Sequence, residues 1–303
     1  MPKELTHWLL ADRVLAGLGH DSPLREIIVA HRAAYLGGAV LPDTLLHLLR
    51  GSDATAALAL AHSFHDTAGN SFAPLILAEA RFPEGLPPAL LACLLGVITH
   101  VHADIIFHPF VFALTGAATI GRHYQIETDI DVHFLNAGAI PAVRRVADLM
   151  SPETVETLVS ASALLFDPND TLPSAALERA LASHCRFQSM YDNTFWKLAG
   201  KLLAIATGSP FREQRHLFYP LSQSTAVSPF DDNSREWLHP VTAELQRSTL
   251  AELASSAVSR TTALFTLIES QGSLTEALRY RPGENLLTGL HGVGRSAMNI
   301  STS

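Results

Sequence analysis

The stretch GVITHVHADIIFH, residues 96–108, carries polar side chains at regular intervals in an apolar sequence. His100, Asp104 and His108 are four positions apart, so on a helix two imidazoles and a carboxylate form one row. The apolar flanks indicate that this row is buried. Burial of unpartnered polar groups costs roughly 2–7 kcal/mol each. Coordination of a metal ion would compensate for that cost, so the stretch predicts a metal site on a buried helix.

Further potential ligands follow this helix in the sequence. His123 and Glu127 repeat the four-residue step, Asp131 continues their row, and Asp129 and His133 lie close by. On a second helix the pair would present another imidazole and carboxylate to the same site.

Three upstream segments add ligands of the same types. His7 lies in the first predicted helix, Asp43 follows Pro42, and residues 62–66 contain His62 and His65. Imidazole and carboxylate ligands without thiolate are typical of catalytic zinc sites, which keep one position open for water. The predicted ligands are His7, Asp43, His65, His100, Asp104, His108, His123 and Glu127, with His62 as an alternative to His65.

A lone histidine on an apolar helix face is most often a core residue. The metal prediction therefore depends on several candidate ligands occurring together. A three-member row, a second pair and an upstream set fall within about 120 residues. His102 is two positions off the row and is expected to point elsewhere. Three other histidines are expected on solvated or packing faces: His20, His31 and His47. The remaining four are expected to be structural: His184, His216, His239 and His291.

The composition of the chain argues against several classes of protein. The 303 residues are 48% hydrophobic and 17% charged, which favours extensive burial over disorder. The net charge of −8 and the lack of a basic stretch argue against binding of duplex nucleic acid. No signal peptide is evident, and no apolar run reaches the roughly 20 residues of a transmembrane helix. We expect a soluble, cytoplasmic protein.

The pattern of apolar residues predicts an all-α protein without a substantial sheet. We expect residues 1–150 to form a metal-binding helical core and residues 151–303 a helical part packed on the same domain. Residues 39–43 are expected to form a turn or loop after a helix stop at 36–38. Residues 208–240 are expected to be a surface loop. The predicted helices are 5–17, 23–35, 56–64, 73–80, 87–112 (ending or bending near Pro109), 121–134, 140–149, 152–166, 174–205 and 243–271.

Three stretches carry a resemblance to a known family: Thr6-His7, AYLGGAVLPD at 34–43, and 96–108 followed by His123-x-x-x-Glu127. Together, over residues 5–130, the chain resembles the zinc-dependent phospholipase C superfamily, which includes single-strand-specific nucleases. It is most similar to the branch with the glycosylphosphatidylinositol-specific phospholipase D catalytic domain, because Asp104 and His108 are four residues apart.

The resemblance implies a helical fold with two or three zinc ions. One ion would take His65, His100 and Asp104, with Asp43 as ligand or base. A second would take His108, His123 and Glu127. A third would use His7 and a bridging Asp104. Secreted relatives complete this third site with an N-terminal Trp, whereas this chain begins Met1-Pro2.

The function expected on this basis is hydrolysis of phosphoester bonds by metal-activated water, with Asp43 and Asp104 as catalytic residues. The substrate would be a small phosphoester or a phospholipid; the oligomeric state is open. Alternatives are ester or amide hydrolysis at the same site, a helical metal-binding protein without catalysis, and a metal-free protein whose histidines only pack. Residues past 150 carry no catalytic signal. Aromatic residues expected either to border the pocket or to pack are Tyr35, Phe107, Tyr124, Phe230 and Trp237.

Overall fold

The computed structural model of the chain describes residues 3–116, 120–207, 211–221, 229–230 and 233–299. Helices dominate these residues, and the predicted all-α fold is confirmed. The helices are α1 (Glu4–Gly17), α2 (Pro23–Ala30), α3 (Arg32–Gly38), α4 (Ala54–His65), α5 (Ala73–Ala80), α6 (Pro88–Thr115), α7 (Ile120–Asn136), α8 (Pro152–Phe166), α9 (Ser174–Tyr191), α10 (Thr194–Thr207), α11 (Phe211–Gln214), α12 (Leu250–Gln271) and α13 (Leu274–Leu278). Short 3₁₀ segments cover Leu41–His47, Val146–Leu149, Arg215–Leu217 and Arg295–Ala297. Two strands, β1 (Arg235–Leu238) and β2 (Leu245–Ser248), form an antiparallel pair.

The long helix α6 lies at the centre of the fold and contacts α1, α3, α7, α8 and α12. Contrary to the expectation from the sequence, α6 is long and apolar enough to cross a membrane, alone among the described helices, but 89% of its most apolar segment is buried inside the protein. That burial is typical of a core helix. The helix continues through Pro109 to Thr115, so of the end or bend expected near Pro109 the end is wrong. It stops at Gly116, whose φ of 58° favours glycine.

Two glycines let α3 cross α6 with their backbones in contact. A Cβ atom at Gly96 would lie 2.0 Å from the carbonyl oxygen of Tyr35, and one at Gly38 would lie 2.1 Å from the carbonyl oxygen of Cys93. No side chain fits at either position. This crossing places the loop after α3 beside the middle of α6, where His100 begins the polar row. The helix stop expected at 36–38 is confirmed, since α3 ends at Gly38.

Several predicted helix bounds are wrong. The helix expected at 23–35 is broken at His31, and residues 39–43 lead into a 3₁₀ segment. The helix expected at 140–149 shrinks to Val146–Leu149, because Asp12 accepts a hydrogen bond from the backbone of Ala142 and holds the segment. The helix expected at 243–271 begins only at Leu250.

The predicted run 174–205 is two helices. The side chain of Asn193 accepts hydrogen bonds from the backbone N–H groups of Phe195 and Trp196, at 3.0 and 3.3 Å, and so starts α10. The predicted surface loop at 208–240 contains α11 and β1, although 208–210, 222–228 and 231–232 lie outside the described residues.

The irregular segment after α13 returns to the central helix. Asn285 donates to the Asp66 carboxylate at 3.0 Å and to the Thr67 carbonyl at 2.8 Å. Gly289, with a φ of 66°, packs its backbone against the Ile105 carbonyl and Pro109 on α6. These contacts hold residues 285–289 against the helix that carries the predicted ligands.

Candidate metal centre

The structure brings all eight predicted ligands into adjoining groups of buried side chains, contributed by α1, the 3₁₀ segment after α3, α4, α6 and α7. The groups whose ligand atoms lie within 4.8 Å of one another are His7, Asp43 and His100; His65, His100 and Asp104; and His108, His123 and Glu127. Segments far apart in the sequence therefore converge at the polar row of α6.

Asp104 belongs to the second group and also faces His7 of the first. Its Oδ2 lies 3.1 Å from Nε2 of His100 and 3.8 Å from Nε2 of His65. Its Oδ1 lies 3.5 Å from Nε2 of His7, whose ring stacks on that of His100 with centroids 4.2 Å apart. Asp43 completes the set, with Oδ1 3.3 Å from Nε2 of His65. One carboxylate thus faces three imidazoles from three helices.

Backbone carbonyl groups fix the orientation of three of these rings. The Nδ1 atoms of His65, His100 and His108 lie 2.8, 3.0 and 2.7 Å from carbonyl oxygens, which can only accept. Nδ1 therefore carries the proton in each ring and leaves the Nε2 lone pair directed into the site. Metal-binding histidines are typically held this way by their other nitrogen. The acceptors are Ala61 on α4, Ala39 after α3, and Leu286 in the returning segment.

Among the residues that the structure describes, the polar atoms that face each other at the centre have no hydrogen-bond partner outside their own cluster. Among the described residues, no hydrogen bond reaches Nε2 of His7, His65 or His100, Oδ1 of Asp43, or either oxygen of Asp104. Each such buried atom carries an unmet desolvation cost of about 1–3 kcal/mol. Six clustered atoms of this kind, all of ligand type, fit a cation among them, and three imidazoles with two carboxylates form a zinc-type donor set.

The third group continues the row along α6 and α7. Nε2 of His123 lies 2.7 Å from Oε1 of Glu127, one turn apart on α7 as the four-residue step predicted. The rings of His108 and His123 have centroids 6.0 Å apart, and Phe112 packs against His123. His108 thus presents Nε2 to a second imidazole and a carboxylate.

Burial and charge set these groups to the protonation states that ligands need. Burial lowers the pKa of His7 and His108 to about 3 each, so both imidazoles are neutral at pH 7. Burial opposes ionisation of Asp43 and Asp104, but the facing imidazoles, His100 foremost, hold the pKa of Asp43 at about 2 and that of Asp104 well below its usual range. Both carboxylates are therefore ionised at neutral pH.

The pKa of His100 shifts upward, in contrast to those of His7 and His108. Burial lowers its pKa, but the negative charges of Asp104 and Asp43 raise it by more. In the absence of an ion the site therefore favours a proton on His100. The two facing carboxylates need a positive charge, and a metal cation supplies it without protonating a ligand.

A family model described as zinc dependent phospholipase C matches residues 6–172, more than half of the chain. The chain belongs to this family. No curated protein and no solved structure matches the chain. The matched residues contain all eight predicted ligands and all three clusters, and the zinc dependence of the family agrees with the donor atoms found there.

The structure separates the other acidic and histidine candidates from this zinc-type centre. His62 is exposed, whereas His65 is buried in the cluster. Asp131 does continue the row of α7, but it accepts hydrogen bonds from the backbone and hydroxyl of Thr6 and from the hydroxyl of Tyr219. It therefore links α1 to α7 next to His7. Asp129 accepts a bond from Gln125.

His102 points away from the row, as predicted. Its Nδ1 lies 3.0 Å from the hydroxyl of Thr261 on α12, and that hydroxyl donates to the Ala257 carbonyl. The imidazole therefore donates to Thr261, and His102 joins α6 to α12.

Sequence reasoning missed a second polar cluster in this family member. His47, expected on a solvated or packing face, and His184, expected to be structural, stack with centroids 4.2 Å apart beside Glu4. Nε2 of His184 lies 3.4 Å from the Glu4 carboxylate, and its Nδ1 lies 3.0 Å from the Thr44 hydroxyl. These donors resemble a metal site, but the Lys3 ammonium nearby already lowers the pKa of Glu4 and supplies counter-charge. No sequence spacing links residues 180 positions apart.

Glu4 is expected to make stability depend on pH. Burial opposes its ionisation, but the hydrogen bond with His184 and the charge of Lys3 lower its pKa from 4.5 to about 2. A depressed pKa stabilises the fold above pH 4.5, and that stabilisation disappears as the pH falls toward 2. Glu4→Gln should therefore lower the free energy of unfolding at pH 7 and flatten its decline between pH 4.5 and 2. Urea unfolding at a series of pH values measures this.

Glu178→Gln on the exposed face of α9 is the matched control and should follow the wild-type curve. If the Glu4→Gln and wild-type curves run parallel through this window, Glu4 does not hold the depressed pKa.

A cavity of about 300 Å³ adjoins the centre. Asp43 and Glu127 form part of its wall, together with Tyr124, one of the aromatic residues expected either to border the pocket or to pack. Most of the remaining wall is apolar and comes from α9, α10 and the 3₁₀ turn that follows, including Phe187, Met190, Trp196, Leu203, Leu217 and Phe218. The sequence after residue 150 carried no catalytic signal, yet it supplies this wall.

The other aromatic candidates pack in the core. The hydroxyl of buried Tyr35 donates to the Ala11 carbonyl at 2.9 Å. Phe107 is fully buried in a second hydrophobic cluster, where Phe230 and Trp237 pack against Phe110. The packing alternative therefore holds for these four residues.

Proposed function

We propose that this member of the zinc-dependent phospholipase C family hydrolyses phosphoester bonds as a phospholipase C-like phosphodiesterase. The observation that carries the proposal is the set of six buried ligand atoms that, among the described residues, have no hydrogen-bond partner outside their cluster and lie beside an apolar cavity. A phosphodiester with an apolar substituent fits both features. Its anionic phosphate would bind at the cation site, and its apolar substituent would occupy the cavity.

We assign the ligands by the groups that the fold assembles. His65, His100 and Asp104 would hold one zinc ion, with Asp43 beside it, and His108, His123 and Glu127 would hold another. His7 with Asp104 would hold a third, which makes two or three ions in total. The kinship with the glycosylphosphatidylinositol-specific phospholipase D branch is part of this proposal and rests on the four-residue step from Asp104 to His108.

Zinc bound by such ligands acts as a Lewis acid on phosphate oxygens and makes water more acidic. The chain supplies the geometry. Asp43 lies in the cavity wall with one oxygen that lacks a hydrogen-bond partner among the described residues, so it can accept a hydrogen bond from the attacking water. Its pKa of about 2 keeps it ionised, which favours an orienting role over lasting removal of the proton.

The test of this function is hydrolysis of a water-soluble chromogenic phosphodiester. We expect activity that a chelator removes and added zinc restores, because the ligand set cannot act without its cation. Asp43→Asn should keep most of the bound zinc but lower kcat by about 10²–10⁴-fold, the range for loss of a positioned acid–base group. Elemental analysis on the same samples separates loss of metal from loss of chemistry.

Activity that survives chelation would contradict the proposal. Hydrolysis of carboxyl esters or amides, with phosphodiesters left intact, would replace it with another metallohydrolase reaction. Bound zinc without hydrolysis of any of these substrates would indicate a metal-binding protein.

A further inference from the structure

One face of α10 is apolar and exposed. Phe195, Leu198, Leu202 and Ile205 follow one another at steps of three and four residues, so they form a stripe along the helix. Their side chains are 67%, 48%, 67% and 77% exposed. A surface helix normally turns such a stripe toward the core.

The same helix directs a charged residue inward. Lys197 is only 5% exposed, and its ammonium donates to the Asp192 carboxylate at 2.7 Å and to the Pro220 carbonyl at 2.9 Å. The contacts of Lys197 thus hold α10 against the protein, while the apolar stripe of the same helix faces outward. A contiguous apolar surface of this kind marks an interaction site.

A third side of α10 lines the cavity at the metal centre. Trp196, Gly200 and Leu203 belong to the cavity wall, and the cavity extends from there to Asp43 and Glu127. Trp196 and Leu203 are also 38% and 39% exposed, so the cavity reaches the surface along the helix. An apolar path therefore runs from the exposed stripe to the predicted zinc ligands.

We propose that α10 docks on a lipid surface and that the cavity beside it receives a hydrocarbon chain of a phospholipid drawn from that surface. The exposed stripe lies among the acyl chains, as in other interfacial amphipathic helices. The lipid phosphate then faces Asp43 and the metal cluster. This deepens the proposed function, on which it rests, by assigning the substrate to aggregated lipid.

The cavity favours a lipid surface over a protein partner. Its mostly apolar wall begins at Trp196 and Leu203, on the same helix as the stripe, so a bilayer against α10 would offer a hydrocarbon chain at that opening, whereas a folded protein would not. The net charge of −8 gives no general attraction to anionic lipid, so the apolar stripe must carry the binding. We therefore test binding on vesicles of zwitterionic phosphatidylcholine.

The first experiment measures partition of the full-length, zinc-loaded protein onto phosphatidylcholine vesicles by sedimentation. We expect the double variant Leu202→Ser and Ile205→Ser to bind at least tenfold more weakly and to hydrolyse vesicle lipid more slowly to a similar degree. Both side chains lie outside the cavity, so turnover of the soluble chromogenic phosphodiester should change less than twofold. Val29→Ser with Leu77→Ser is the matched control, since these residues are 57% and 55% exposed on other helices.

A second measurement addresses the cavity. With monomeric phosphatidylcholines of increasing chain length, KM should fall as the chain lengthens. Leu203→Trp, which narrows the cavity, should remove that dependence while vesicle binding persists. Equal KM values at all lengths in the wild type would overturn the assignment of the cavity to a hydrocarbon chain.

Unchanged vesicle binding by the Leu202→Ser and Ile205→Ser variant would overturn the docking proposal. So would a wild-type dimer that ignores vesicles and that these substitutions dissociate, because the stripe would then cover a second copy. If wild type binds vesicles through the stripe but hydrolyses neither substrate, docking is supported and the proposed hydrolase function fails.

Discussion

Replacement of Asp104 by Asn is expected to abolish zinc binding and hydrolysis together. The Asp104 carboxylate faces His7, His65 and His100, and both of its oxygens lack hydrogen-bond partners among the described residues. The amide has similar volume but no charge, and its nitrogen would face imidazole lone pairs. Lewis-acid catalysis is worth several kcal/mol, and about 1.4 kcal/mol is a tenfold change in rate, so activity should fall at least about a thousandfold.

His102→Asn is the control for this experiment. His102 lies on the same helix with similar burial, and an asparagine amide can replace the bond that Nδ1 makes to Thr261. Zinc content and activity should stay near wild type. An Asp104→Asn protein that is folded by circular dichroism and still holds a full complement of zinc would show that Asp104 is not a ligand.

Replacement of Gly96 by Ala is expected to destabilise the fold by about 3 kcal/mol, the upper part of the usual range for overpacking. The new methyl group would lie 2.0 Å from the Tyr35 carbonyl oxygen and 2.9 Å from the Ala39 backbone nitrogen, so α3 must move away from α6. Helix propensity alone would favour alanine by about 1 kcal/mol, so a net loss identifies the contact. Urea unfolding of the metal-free protein measures the change.

The same shift should weaken zinc binding. Ala39 provides the carbonyl that orients His100 at 3.0 Å, and loss of such an outer contact typically costs about 10–100-fold in metal affinity. Gly17→Ala is the control, because the nearest atom to its new methyl group would be 3.8 Å away. If Gly96→Ala proves as stable as Gly17→Ala, the close crossing of α3 and α6 does not exist as described.

Local sequence predicted the elements that carry their own periodicity. The row of His100, Asp104 and His108 indicates both a helix and a set of ligands, so the same residues predicted α6 and the candidate site on it. The pair on α7 was found in the same way, and the bounds of α5 and α8 match those predicted.

Elements that depend on distant contacts were missed. The sequence predicted a helix across Gly96 and a helix end at 36–38, but it gave no sign that Gly96 and Gly38 each pack against a backbone carbonyl of another segment. The Asn193 cap and the Thr249–Glu252 capping box were readable signals for helix starts, since Asn and Thr with Glu three residues on are typical there. The pairing of Glu4 with His184, by contrast, has no local signature.

The hydrogen bond from His108 to the Leu286 carbonyl has a consequence for how the protein can be divided. Residues 6–172, the part that matches the family, include every proposed ligand but not Leu286. A shortened polypeptide ending at 172 would therefore leave one imidazole free to rotate. If segments are exchanged between relatives to make chimaeras, residues 285–289 and helix α6, which they contact, must come from the same parent.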